Sequence, residues 1–298
     1  IIRHLNTEKK MSSGKNIKTY FDGAWHYEDK FVLRAADHGT WLGSSVFDGA
    51  RYFDGTVPDL LAHCHRVNNS AKAMMLNPTV SANDMVGIIK EGISSYDSQS
   101  SVYIRPMYWA IDGGDTLVLP KENSTAFSIC LEEIPMASSS VSATLTSTRF
   151  RRPVLEDNVV NAKAGCLYPN NARMLAEVRS KGFSNALVTD ANGNVAETAT
   201  ANIFMVKNGD IFTPIPNGTF LAGITRARHI KNLRNFGKNV IESVLTFEDF
   251  YDAEEVFMSG NMTKITPVTA IKDKNFQVGP ITLLARELYW DWSKSELL

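Results

Sequence analysis

The sequence predicts an α+β chain in two parts, each with strands and helices of its own. Three observations predict it. Apolar residues recur at helical spacing in some segments and in short β-branched or aromatic runs in others, and both patterns occur in both halves. A small polar stretch, Pro135-Met136-Ala137-Ser138-Ser139-Ser140, separates two strand-like segments and reads as a linker. A chain of 298 residues with 44% hydrophobic residues can bury one large core or two medium ones.

The elements follow in order. Tyr20 to Trp25 and Phe31 to Leu33 are expected to be short strands joined by a turn, and Ala50 to Phe53 another strand, closed by the Asp54-Gly55 turn. From His63 to Met75, Val67, Ala71, Met74 and Met75 mark one face of a helix. Ser81 stands as an N-cap before a second helix marked by Met85, Ile88, Ile89 and Ile93. Ser101–Ile111 and Thr125–Ile134 are rich in strand formers. Beyond the linker, Tyr168–Ser180, Thr225–Phe236 and Pro280–Trp292 read as helices. Strands are expected at Ala186–Thr189, Ile203–Val206 and Glu255–Met258, with Asn-Gly turns at Asn192-Gly193 and Asn208-Gly209. The division is 17–134 for the first domain, 135–141 for the linker and 142–298 for the second domain. Residues 1–16 are expected to be a tag or disordered extension. They are polar, and the first methionine is Met11.

Composition excludes several functions. The 31 Lys and Arg residues balance 32 Asp and Glu, which leaves no basic footprint for nucleic acid. Cys64, Cys130 and Cys166 are odd in number and show no CxxC spacing, so no disulfide framework or zinc site is expected, and a reducing cytoplasm fits. No apolar run approaches ~20 residues, so no membrane span is expected. His63 and His65 have no acidic or cysteine partner at ligand spacing, and no metal site is expected there.

The chemistry lies in an ordered series of short motifs. Arg151-Arg152-Pro153 precedes Asn161-Ala162-Lys163-Ala164-Gly165-Cys166-Leu167-Tyr168. Asp190-Ala191-Asn192-Gly193-Asn194-Val195-Ala196-Glu197 and Thr200-Ala201-Asn202-Ile203-Phe204 follow. Then come Leu221-Ala222-Gly223-Ile224-Thr225-Arg226 and Ser259-Gly260-Asn261-Met262-Thr263-Lys264-Ile265-Thr266-Pro267-Val268. Singly these are weak. A lone lysine is usually a solvated surface charge, a lone tyrosine a core aromatic, and Gly-Ile-Thr a plain helix start. In this order and spacing the set resembles the fold-type IV pyridoxal-phosphate (PLP) enzymes, and the branched-chain amino-acid aminotransferases in particular. The similarity runs from about Tyr20 to Trp292.

The resemblance implies a two-domain, D-amino-acid-aminotransferase-like architecture, with the substrate-side domain first and the PLP-binding domain second. It implies a homodimer with sites at the subunit boundary. Its implied reaction moves an amino group from a hydrophobic, branched-chain-like amino acid to a 2-oxo acid such as 2-oxoglutarate, in ping-pong fashion. Lys163 would hold PLP as a Schiff base and shuttle a proton. Tyr168 would bond the phenolic oxygen of the cofactor, and Glu197 would pair with its pyridine nitrogen. Gly223, Ile224 and Thr225 would seat the phosphate at a helix start, joined by Asn261 and Met262. Phe47, Arg51, Tyr103 and Arg105 would bind substrate, an arginine fork being suited to a carboxylate.

Three departures from the family pattern bear on specificity. Leu42 stands where a tyrosine is usual. Asn261 and Met262 replace a threonine and an alanine. Aligned on His63, the arginine that usually binds the phosphate is replaced by Leu61, with His65, Arg66 and Arg51 as substitutes. These departures keep an (R)-selective amine or D-amino-acid aminotransferase as the alternative. An aminodeoxychorismate lyase and a non-catalytic PLP-binding relative stand further off.

Overall fold

The computed structural model describes residues 14–298, so the first 13 residues of the expected extension lie outside the described residues. Lys15 and Asn16, placed by sequence in that extension, already belong to the first strand.

The first half builds a six-stranded antiparallel sheet. Its first hairpin joins β1 (Lys15–Phe21) to β2 (Ala24–His26). Asp22 and Gly23 both have positive φ, the geometry that matches strand twist in a two-residue turn. Phe31–Leu33 is not a strand. Phe31 is 98% exposed, because β2 closes this edge of the sheet and leaves the segment no partner. A single helical turn, α1 (His38–Trp41), leads into β3 (Ser45–Phe47) and β4 (Ala50–Tyr52). Two helices follow, α2 (Leu60–Ala73) and α3 (Ala82–Ile93), and Ser81 caps α3 by accepting from the Asp84 amide. The long strands β5 (Val102–Ala110) and β6 (Thr125–Glu133) complete the sheet.

Strand alternation gives this sheet two distinct faces. Val102, Ile104, Ile129 and Leu131 bury against Val67, Met85 and Ile89 of the two helices. Tyr103, Arg105 and Met107 point the other way and are half-buried. Residues directly across strands share a face. Arg51 lies across from Tyr103, Phe47 from Met107, Glu132 from Tyr103 and Cys130 from Arg105. Phe47, Arg51, Tyr103 and Arg105 therefore share one face, and Glu132 joins them.

The second half contains β7 (Ala143–Ser147), a 3-10 turn at Gly165–Leu167, α4 (Tyr168–Ser180), β8 (Asn185–Thr189), β9 (Val195–Thr198), β10 (Asn202–Lys207) and β11 (Asp210–Pro214). It continues through α5 (Ile224–Asn235), β12 (Val240–Ser243), α6 (Phe247–Tyr251), β13 (Glu255–Gly260), β14 (Lys264–Ile271), β15 (Lys274–Asn275) and α7 (Pro280–Ser293). Its mixed sheet runs β12-β11-β10-β13-β14-β7-β8-β9, with β15 on β14. Phe204, Phe257 and Ile265 pack against Ile230 and Leu233 of α5 and Ala285 of α7. This packing fixes the start of α5 near the end of β13.

Candidate active site

A cavity of about 540 Å³ is lined by residues from both halves of the chain. Lys163 reaches it from a segment fastened to the first half. The Phe47 amide donates to the Lys163 carbonyl at 3.1 Å, the Lys163 amide donates to Ser70 Oγ at 3.0 Å, and Val46 forms a β-bridge with Ala164. Lys163 Nζ donates to the Tyr168 hydroxyl at 2.9 Å and stands 4.9 Å from the Phe47 ring centroid. The Phe47 and Tyr168 ring centroids are 5.1 Å apart. A primary amine thus sits in a partly aromatic frame, oriented by a phenol.

Glu197 on β9 enters the same cavity. Arg152 Nε is 3.1 Å from its Oε1, and Asn202 Nδ2 donates to its Oε2 at 3.2 Å. Burial raises the Glu197 carboxyl above its ordinary range, opposed by Arg152 and Lys163.

The third component is an anion seat. Gly223, Ile224 and Thr225 open α5 into the cavity. The first amides of a helix have no intrahelical acceptor and lie at the positive end of its dipole. Gly223 has no room for a side chain, since a Cβ there would collide with Asn202 Oδ1. Facing this helix start are Ser259, Gly260 and Asn261 at the end of β13. Ser259 Oγ and Asn261 Nδ2 are buried without a hydrogen-bond partner. Buried donors left so are costly unless a ligand satisfies them.

The cation at this seat is Arg66. It lines the cavity, its Nη1 donates to the Ala222 carbonyl at 3.4 Å, and its Nε and Nη2 grip Asp48 at 2.6 and 2.8 Å. His63 Nδ1 meets the same carboxylate at 2.7 Å. Burial pushes the Asp48 carboxyl up, but Arg66 and His63 outweigh it and hold it well below the usual range. Leu61 is 44% exposed on α2 and does not line the cavity. Of the three substitutes that the sequence offers for an arginine at Leu61, Arg66 is the one that lines this cavity. Leu61 lies on another side of the helix, whereas His63, Arg66 and Ser70 fall at i, i+3 and i+7 and form one stripe.

An aldehyde-bearing pyridine phosphate fits this donor set. The cavity offers it an amine at Lys163, a carboxylate for a ring nitrogen at Glu197, and a seat of helix amides, orphaned donors and Arg66 for a phosphate dianion.

Of the residues singled out from sequence, Lys163, Tyr168, Glu197, Gly223, Ile224, Thr225 and Asn261 meet in this one cavity. Met262 does not line it, but a smaller neighbouring hollow that also touches Asn261. Phe47 abuts Lys163 and Tyr168, while Arg51, Tyr103 and Arg105 stand off the cavity on the sheet face described above. Arg51 is sealed, its guanidinium donating to the Ile134 carbonyl at 2.5 Å and the Met262 sulfur at 3.5 Å, and burial pulls it down to about 10. Arg105 is ion-paired with Glu132. Sequence reasoning missed the Asp48–His63 support of Arg66 and the pairing of Arg105 with Glu132. Only the helical spacing of His63, Arg66 and Ser70 could have revealed any of these. Among the described residues, no group of three or more His, Cys, Asp or Glu side chains could hold a metal.

Lys264, just behind Asn261, is fully buried, and its Nζ donates to Asn261 Oδ1 at 2.6 Å. Burial, with Arg51 nearby, pulls its amine down to about 7, Asp59 opposing. Below pH 7 the amine is charged in both the folded and the unfolded chain. Between about 7 and 10.5 the unfolded chain binds the proton and the folded chain does not, so stability rises with pH across that interval. From pH 7 to 9 the rise from this group is about 2 kcal/mol. Lys264→Met should remove it, as read by denaturant titration at both pH values. The same pH slope in wild type and variant would rule out the effect.

The site thus defines a cofactor-dependent enzyme that works through a lysine amine and a bound phosphate. The comparisons with known proteins give the particular class. Residues 45–271 match the family model of class IV amino-transferases, and the chain belongs to that family. An aminotransferase from Brucella abortus bound to the cofactor PLP is 53% identical, with a TM-score of 0.93, and covers 94% of this chain and 100% of its own. A branched-chain aminotransferase from Thermoproteus uzoniensis, crystallised with norvaline, is 27% identical with a TM-score of 0.85 over 94% of this chain and 95% of its own. The branched-chain-amino-acid aminotransferase of Escherichia coli K12 is 28% identical over 295 residues, 94% of each chain. The fold is the fold-type IV architecture of these enzymes.

Proposed function

We propose that this chain moves an amino group between a hydrophobic, branched-chain-like α-amino acid and a 2-oxo acid by a ping-pong mechanism, 2-oxoglutarate being the acceptor implied by resemblance. The chain is a pyridoxal-phosphate-dependent aminotransferase. The observation that carries the finer reading is one cavity holding Lys163, Tyr168, Glu197 and the anion seat, bordered by the Phe47 ring. Bound PLP supplies an electron sink for charge released at the substrate α-carbon. Lys163 anchors the cofactor and moves the proton at that carbon. Tyr168 orients the Lys163 amine, and Glu197 keeps the pyridine nitrogen protonated. The helix start at Gly223, Ile224 and Thr225, with Asn261 and Arg66, holds the phosphate. Met262, over Arg51, borders the substrate mouth. Phe47, Tyr103 and Arg105 face the substrate side chain and carboxylate.

The two sheets are taken as two domains, residues 17–134 and 142–298, joined by 135–141. A homodimer fits the exposed apolar run Leu117-Val118-Leu119, at 62, 71 and 53% exposure, which a second copy would cover. The three cysteines are free thiols, which fits a reducing cytoplasm. Among the described residues no helix is long and apolar enough to cross a membrane.

The experiment is a spectrophotometric half-reaction screen of the holoenzyme. It uses L-branched-chain acids, D-amino acids and both enantiomers of a simple chiral amine. Fast conversion of the L-branched-chain acids alone is the expected result. Preference for D-amino acids or the (R)-amine would replace this reading with the alternative within the same fold.

A further inference from the structure

The hairpin turn that closes the anion seat is backed by a lysine. Lys264 follows the three-residue turn Asn261-Met262-Thr263 and pairs with Gly260 across it. Its φ is +64°, the left-handed conformation that such a turn usually gives to glycine. Its side chain is fully buried, and its Nζ donates to Asn261 Oδ1 at 2.6 Å. Around that amine stand Arg51 from β4, Asp59 and His63 at the start of α2, His229 from α5 and, 5.6 Å away, the centroid of the Tyr289 ring of α7.

The acids of this corner are already engaged. Asp59 ion-pairs with Arg228, and Asp48 is gripped by Arg66 and His63. Among the described residues, Lys264 has no ion pair, and neither has Arg51, which is tied to the Ile134 carbonyl and the Met262 sulfur. Two buried cations without a counter-charge therefore flank the turn, one bonded to Asn261 and the other to Met262. A left-handed backbone and an unpaired buried charge both cost free energy. Both fall on one residue, whose side chain ends on Asn261 of the seat.

We propose that Lys264 is a positioning residue for the cofactor phosphate, acting through Asn261. This rests on the reading of the turn and the helix start as the phosphate seat. An ammonium carries donors and no acceptor, so the amide it meets must turn its oxygen toward it. Nδ2, on the other branch of the Asn261 amide, is thereby kept off Lys264, and it is buried without a partner. It is the donor left for a phosphate oxygen. The dianion also supplies the negative charge that the corner lacks, so the phosphate favours the ammonium and the ammonium favours the phosphate.

The test compares PLP with pyridoxal, which keeps the aldehyde and lacks the phosphate. The full chain is loaded with each in turn, just below pH 7, where the Lys264 amine is charged. Retention is read by equilibrium dialysis, apart from turnover. Lys264→Met should weaken PLP about tenfold and leave pyridoxal unchanged. Lys264→Gln, uncharged but polar, carries the same comparison if the methionine variant does not fold. Asn261→Ala should also weaken PLP, and adding Lys264→Met to it should cost little more, because the second residue acts through the first. A merely structural role would weaken PLP and pyridoxal alike, and that result overturns the proposal, as do fully additive losses in the double variant. If Asn261→Ala weakens PLP while the Lys264 variants do not, only the role of Lys264 falls. If Asn261→Ala changes nothing, the reading of the turn as part of the phosphate seat falls and takes the proposal with it.

Discussion

Lys163→Ala is expected to lower amino transfer by at least about a thousandfold, because one substitution removes both the anchoring nucleophile and the group that moves the proton. The fold should survive. The contacts that seat this residue are made by its backbone, to Phe47 and Ser70, and alanine keeps them. Phosphate binding should also survive, since the helix start, Asn261 and Arg66 are untouched. The variant should therefore still take up cofactor, without a covalent link. Borohydride treatment followed by mass spectrometry checks this apart from turnover, with a cofactor adduct at Lys163 in the wild type and none in the variant. A variant that transfers amino groups at the wild-type rate would remove Lys163 from the chemistry.

Glu197→Gln should cost about a hundredfold to a thousandfold in rate, the range for losing one preorganised charge at a reacting centre. Glutamine keeps the size and can still accept from Asn202, so the loss reflects charge rather than packing. Cofactor affinity should change much less, because the phosphate seat lies elsewhere. An unchanged rate would make Glu197 only the structural partner of Arg152.

The parts legible in the sequence were those set by local rules. The capped helix after Ser81, the helix from Tyr168 to Ser180 and the closing helix after Gly279 each carry a periodic face and a clear start, and each appears as expected. The cavity residues from Lys163 to Asn261 were legible because an ordered motif series is a one-dimensional signal. What failed depended on pairing or helical phase. Phe31–Leu33 has strand composition but no neighbour to pair with. β7 and β12 are short and partly polar, and they exist through the strands beside them. Leu61 and Arg66 lie on one helix, and placing the phosphate cation depended on which side of that helix faces inward. The pairing of Glu132 with Arg105 could not be read at all, because only the register of β5 against β6 sets the two side by side.

The stitching of Lys163 has a mechanical consequence. The residue lies in the same half of the sequence as Glu197 and the anion seat, yet its amide, its carbonyl and the neighbouring Ala164 are all tied to the first half. The reactive amine thus sits on the seam, not on either side of it. The position of the amine is therefore set jointly by both sheets, and a substitution at Ser70 or Phe47 reaches it without touching the carboxylate or the helix start.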